Sequence, residues 1–189
     1  MALMSSSDVL SRVAAMMESA GCPWMVVGSV AALFYGRNRA TADIDIVVDC
    51  ANLVPERLVA ACEPDFFLDL QMVRDSKQTG IMFNAIPRTG GPKIDFIPLA
   101  HEAYKRTAFG RRLAIDWHGT TVYVTTGADL VLSKLLWARE SESERQMADV
   151  RAIMAHGDVD EHDPYFQRWL KRLELESTLD ASRSTRYDA

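Results

Sequence analysis

No apolar run in the chain approaches the ~20 residues that a membrane-spanning helix needs; stretches such as Trp24-Met25-Val26-Val27 fall far short. Residues 1–20 lack the basic start and unbroken apolar stretch of a signal peptide, so a cytoplasmic protein with no membrane partner is expected. Cysteine is scarce. Cys22, Cys50 and Cys62 are odd in number and form no Cys-x-x-Cys, which argues against a disulfide framework or a zinc site. They read as small buried hydrophobes. Positive charge is in deficit, with 21 Lys and Arg against 26 Asp and Glu, a net charge of −5. A general electrostatic grip on nucleic acid would need the opposite balance, although a local basic groove is compatible with it. His101, His118, His156 and His162 are widely spaced and make no His-x-x-x-His pattern, and neither a P-loop nor a Gly-x-Ser-x-Gly sequence occurs.

What is present is a globular composition, 48% hydrophobic and 25% charged, in 189 residues. That is enough for one domain, or for a compact domain with a helical appendage. Ser5-Ser6-Ser7-Asp8 offers capping oxygens, and Leu10, Val13, Ala14 and Met17 then recur at helical spacing, predicting a helix to about Ala20. Trp24–Val27 reads as a short buried strand, and Gly28-Ser29 turns the chain into a second helix ended by Gly36. Asp43–Val48 alternates and is β-branched, a strand. A helix with Pro55 in its first turn follows to about Cys62. Strand-like runs then cover 66–73, 81–86 and 93–98, with Gly80 and Gly90-Gly91-Pro92 as breaks. A helix over 101–109 and a hairpin around His118-Gly119 complete an expected α/β core spanning 1–126. Beyond Gly127 only helical periods appear, giving a helical part over 127–175, and the polar residues 176–189 are expected to be disordered. Trp117, Trp137 and Trp169 are expected to pack against the helices and the hairpin. The fold class is thus α/β (α+β): a mixed sheet flanked by helices, with a C-terminal helical part.

The chemistry centres on Asp43-Ile-Asp45. Residues i and i+2 of a strand share a face, roughly 6.5–7 Å apart along the chain, so both carboxylates point one way while Ile44, Ile46 and Val48 point into the core. Paired carboxylates in a half-buried strand repel unless a cation lies between them, and oxygen-only ligands shared with phosphate suit Mg²⁺, with Mn²⁺ as an alternative. The pair alone is no signal: sixteen aspartates in this chain give about one Asp-x-Asp by chance, and Asp158 and Asp160 make another. Context supplies the rest. Gly28-Ser29 opens a helix, where Gly lets backbone approach a phosphate and Ser adds a hydroxyl. Arg37, Arg39 and Thr41 lie between it and the aspartates, two cations and a hydroxyl suited to a triphosphate. Within Lys93–Pro98, Ile94 and Phe96 face one side and Asp95 the other, so a neighbouring strand could bring a third carboxylate beside the pair. Three carboxylates permit metal-assisted phosphoryl transfer.

Gly28-Ser29, a helix, Arg39-x-Thr41-x-Asp43-Ile-Asp45 and Asp95 on a later strand together resemble the nucleotidyltransferase superfamily of the DNA polymerase β type. The thirteen residues between Ser29 and Asp43 are most similar to the spacing of AbiEii-type toxins and their small stand-alone relatives. The resemblance implies a nucleotidyltransferase core in which Gly28 and Ser29 contact a nucleoside triphosphate. Asp43 and Asp45 would bind the metal, and Asp95 would complete its site and act as base toward an acceptor hydroxyl. It further implies that Lys134 reaches phosphates and that Asp149 is structural. The acceptor stays open between an RNA 3′ end, a protein hydroxyl and a small molecule such as an antibiotic; a cognate antitoxin would accompany the toxin-like reading. A non-catalytic nucleotide- or partner-binding module of the same fold is the alternative from a different class.

Overall fold

A computed structural model of the chain describes residues 6–37, 41–63 and 65–184. The chain divides into two compact units, Met1–Val30 with Ala40–Thr125 and Ala31–Arg39 with Thr126–Ala189. The first unit holds α1 (Ser6–Ala20), β1 (Trp24–Val26), β2 (Asp43–Val48), α3 (Pro55–Cys62), β3 (Phe66–Phe67), α4 (Leu70–Thr79), β4 (Phe83–Pro87), β5 (Lys93–Pro98), α5 (Ala103–Gly110), β6 (Leu113–Trp117) and β7 (Thr120–Val124). The short helix α2 (Gly28–Leu33) starts where β1 ends.

The strands form one mixed sheet in the order β3-β4-β5-β2-β1-β7-β6. Its centre is β2, antiparallel to β1 and parallel to β5. In β2, Ile44, Ile46 and Val48 are fully buried while Asp43, Asp45 and Val47 lie on the more open face, as the alternation requires. Ile94 and Phe96 of β5 continue the same buried layer, and the Phe96 ring stacks on Phe83 of β4 at 4.9 Å. Helix α1 buries Val9, Leu10, Val13, Met16 and Met17, one stripe at helical spacing. Its Arg12 ion-pairs with Asp65 and donates to the carbonyls of Ala61 (3.1 Å) and Glu63 (3.0 Å), satisfying acceptors that the end of α3 leaves without helical partners. The hairpin β6–β7 closes on His118-Gly119, both at positive φ (51° and 80°), the geometry of a type I′ turn.

The second unit comprises α6 (Gly127–Ser141), α7 (Glu144–His156), α8 (Pro164–Arg172) and α9 (Glu176–Ser184) around Leu130, Val131, Leu135, Val150, Ile153, Phe166 and Leu170. Thr126 caps α6 by accepting from the Asp129 amide at 3.1 Å, and buried Asp129 in turn accepts from the Tyr165 hydroxyl at 2.5 Å.

Three expectations need correction. The run expected to be a strand over 66–73 yields only two strand residues; Asp69 caps α4 by accepting from the Met72 amide at 2.8 Å, and Gly80 ends that helix in the left-handed region. Paired capping signals outweigh the aromatic, β-like start of the segment. Of the tail expected to be disordered over 176–189, Glu176–Ser184 form α9, which buries Thr178, Leu179 and Ser182 on one face, and 185–189 lie outside the described residues. Trp137 is 56% exposed rather than packed, because it lies opposite the Leu135 and Ala138 face of α6, whereas Trp169 is buried. Among the described residues, no helix is long and apolar enough to cross a membrane.

Candidate functional site

The open face of β2 and β5 carries the chemistry. Parallel pairing sets Asp45 opposite Asp95 and Asp43 opposite Lys93, so two rows run across adjacent strands. The antiparallel register of β4 adds Asn84 opposite Asp95. The sequence expectation that a neighbouring strand carries Asp95 to the pair is met in this geometry.

Asp95 is 6% exposed, and its Oδ1 is buried without a hydrogen-bond partner among the described residues. Its Oδ2 accepts from Lys93 Nζ at 2.5 Å. The same ammonium lies 3.5 Å from Asp43 Oδ1. The hydrogen bond to Asp95 and the attraction of both carboxylates outweigh partial burial and hold the Lys93 pKa above the ordinary lysine value. Lys93 is a member of the site that the sequence reading leaves out. The signal is present: it stands two residues before Asp95 and so must share its face. Among the described residues, no group of three or more His, Cys, Asp or Glu side chains is drawn together tightly enough to hold a metal ion as it stands. A cationic side chain already lies between two of the three carboxylates.

Gly28 explains how the chain passes so close to Asp45. The Val27 amide donates to the Asp45 carbonyl at 3.0 Å, and Gly28 follows with φ +64°. A Cβ on Gly28 would collide with Asp45 Oδ2 and stand 2.9 Å from its Cγ, so the carboxylate could not keep its present position. Only glycine meets both the left-handed φ and the clearance. Helix α2 is six residues long, so its dipole is short; the main contribution of Gly28 is half-buried backbone brought beside a carboxylate. Ser29 is half-buried next to it. Thr41 shapes the entry to β2: its Oγ1 donates to the Asp43 carbonyl at 3.1 Å and accepts from the Asp43 amide at 3.4 Å.

The other expected residues stand elsewhere. Arg39 lies outside the described residues. Lys134, in the second unit, is 3% exposed, and its ammonium donates to Asp149 Oδ2 at 2.7 Å and to Gln146 Oε1 at 3.1 Å. Lys134 is thus a buried, ion-paired lysine, and a phosphate contact would require it to exchange these partners. Arg37 donates to Asp149 Oδ1 at 2.9 Å, so Asp149 holds two cations at once.

No protein-family model matches this chain, and no curated protein matches it in sequence. Solved structures do match. An antigenic nucleotidyltransferase-like protein from Paracoccidioides brasiliensis superposes with a TM-score of 0.56 at 18% identity, covering 95% of each chain. The antibiotic-resistance factor ANT(2'')-Ia superposes with a TM-score of 0.54 at 17% identity, over 94% of this chain and 91% of that one. The same factor, in complex with adenylyl-2''-tobramycin, gives 0.51 at 16% identity over 94% and 97%. At these identities the likeness is one of fold. The protein has a mixed α/β fold that resembles nucleotidyltransferase folds along almost its whole length.

Proposed function

We propose that the chain is a metal-dependent nucleotidyltransferase that moves a nucleoside monophosphate from a nucleoside triphosphate to a hydroxyl acceptor. The observation that carries this reading is the alignment of Asp45 with Asp95 on parallel strands, with Gly28 backbone held against Asp45. The donor set is oxygen-only and includes a buried Asp95 oxygen without a partner among the described residues, which fits a hard divalent cation such as Mg²⁺ or Mn²⁺. Asp43, Asp45 and Asp95 would hold it. When bound, such a cation supplies charge neutralisation for the phosphates and for the departing pyrophosphate. Gly28 and Ser29 offer backbone and hydroxyl contacts to the triphosphate, and Thr41 keeps Asp43 in place. Asp95 takes the proton of the acceptor hydroxyl as its oxygen bonds to the α-phosphorus. The bond from that phosphorus to the bridging oxygen breaks, and the electron pair leaves with pyrophosphate.

For the acceptor, the spacing from Gly28-Ser29 to Asp43 favours the toxin-like classes, an RNA 3′ end or a protein hydroxyl, with an antitoxin as the partner that reading implies. The likeness to ANT(2'')-Ia with adenylyl-2''-tobramycin favours the second reading, a small-molecule hydroxyl. Incubating the chain with each α-labelled nucleoside triphosphate, Mg²⁺ and a cell extract, then separating RNA, protein and small molecules, distinguishes them. Label in one fraction, lost in Asp45→Asn, is the expected result. Triphosphate binding without transfer to any fraction would replace this function with the non-catalytic binding module.

A further inference from the structure

We propose that Lys93 is a resident counter-ion of the carboxylate row, holding Asp43 and Asp95 in place before a divalent cation arrives and yielding its position to that cation. The inference rests on the reading of the three aspartates as metal ligands and concerns what occupies them beforehand. Three like charges gathered on one sheet face repel, and one of them, Asp95, is almost fully buried. Lys93 is both the strand neighbour of Asp95 on the same face and the register partner of Asp43, so one ammonium reaches both carboxylates, Asp95 at 2.5 Å and Asp43 at 3.5 Å. Its compensation is partial. Asp95 Oδ1 has no partner among the described residues, and the Lys93 ammonium brings one positive charge to the two carboxylates of Asp43 and Asp95. A divalent cation offers more charge and can use that remaining oxygen. The lysine side chain is 37% exposed on a flexible stem, so its ammonium can swing into water when displaced.

The consequence has an unusual sign: removing Lys93 strengthens metal binding. Calorimetric titration of the full chain with Mn²⁺ and no nucleotide should show Lys93→Met binding about three- to tenfold more tightly than the parent, the scale of a partly exposed ion pair. Its metal-free melting temperature should fall, and Mn²⁺ should raise it by more than in the parent. A merely structural lysine would weaken metal binding when lost. Lys93→Gln is read in the same way if Lys93→Met fails to fold. In the parent chain, reductive methylation of Lys93, followed by mass spectrometry, should speed up when Mg²⁺ is added. Equal or weaker Mn²⁺ binding in the folded Lys93 variants, or methylation unchanged by Mg²⁺, overturns the inference provided that Asp45→Asn loses the metal. If Asp45→Asn titrates like the parent, the metal-site reading itself fails.

Discussion

Gly28→Ala tests whether the approach of backbone to Asp45 organises the site. Two costs arise and they can be separated. The left-handed φ of +64° penalises any residue with a Cβ by roughly 1–2 kcal/mol. The added methyl would also overlap Asp45 Oδ2 and lie 2.9 Å from its Cγ, so the carboxylate has to leave its present position. Gly80 supplies the control, because it has φ +73° and nothing within 4 Å of where a Cβ would stand. Gly80→Ala therefore carries the conformational cost alone. In urea denaturation both variants should lose about 1–2 kcal/mol, with Gly28→Ala losing at least as much as Gly80→Ala. In Mn²⁺ titration they should part: Gly80→Ala binds like the parent, and Gly28→Ala loses at least about tenfold in affinity because Asp45 is displaced. Equal Mn²⁺ affinity in the two variants would refute the role given to this contact.

Two further perturbations address the second unit and the core. Asp149→Ala strips buried Lys134 of the Asp149 carboxylate, which should cost about 3–5 kcal/mol in urea denaturation, whereas Lys134→Met leaves Asp149 paired with Arg37 and should cost clearly less; equal losses would contradict this ordering. Burial pushes the thiols of Cys22 and Cys62 up from 9.0 to about 12, so the folded chain keeps protons that the unfolded chain sheds. Stability should therefore fall as pH rises above about 9, by about 1.4 kcal/mol per pH unit for each thiol, and Cys62→Val should show a shallower decline than the parent between about pH 9 and 10.

Much of the site is legible in the sequence because strand alternation is a local property. Asp43 and Asp45 share a face with Ile44 and Ile46 beneath them, and Ile94 and Phe96 assign Asp95 to the corresponding face of its own strand. Register is a tertiary property, and no local pattern sets Asp45 against Asp95 or introduces Asn84 from β4. The spacing of Lys93 from Asp95 places it on the same face, yet a lysine at the start of a strand ordinarily reads as a solvated edge. Phe66-Phe67 obscures helix α4, and the better indicators are Asp69 and Gly80, eleven residues apart at its two ends. Helix α9 is hard to see in the sequence because the face it buries is made of Thr178, Leu179 and Ser182, with one strongly apolar residue among them. Hydrophobic periodicity has little to detect in such a face.

In the function proposed, Asp43, Asp45 and Asp95 bind a divalent cation that holds a nucleoside triphosphate. The most direct test measures binding of each nucleoside triphosphate to the parent and to Asp43→Ala and Asp45→Ala, with and without Mg²⁺, alongside circular dichroism. Mg²⁺-dependent binding in the parent that disappears in both folded variants is the predicted result. Variants that bind as tightly as the parent with Mg²⁺ present would contradict the account.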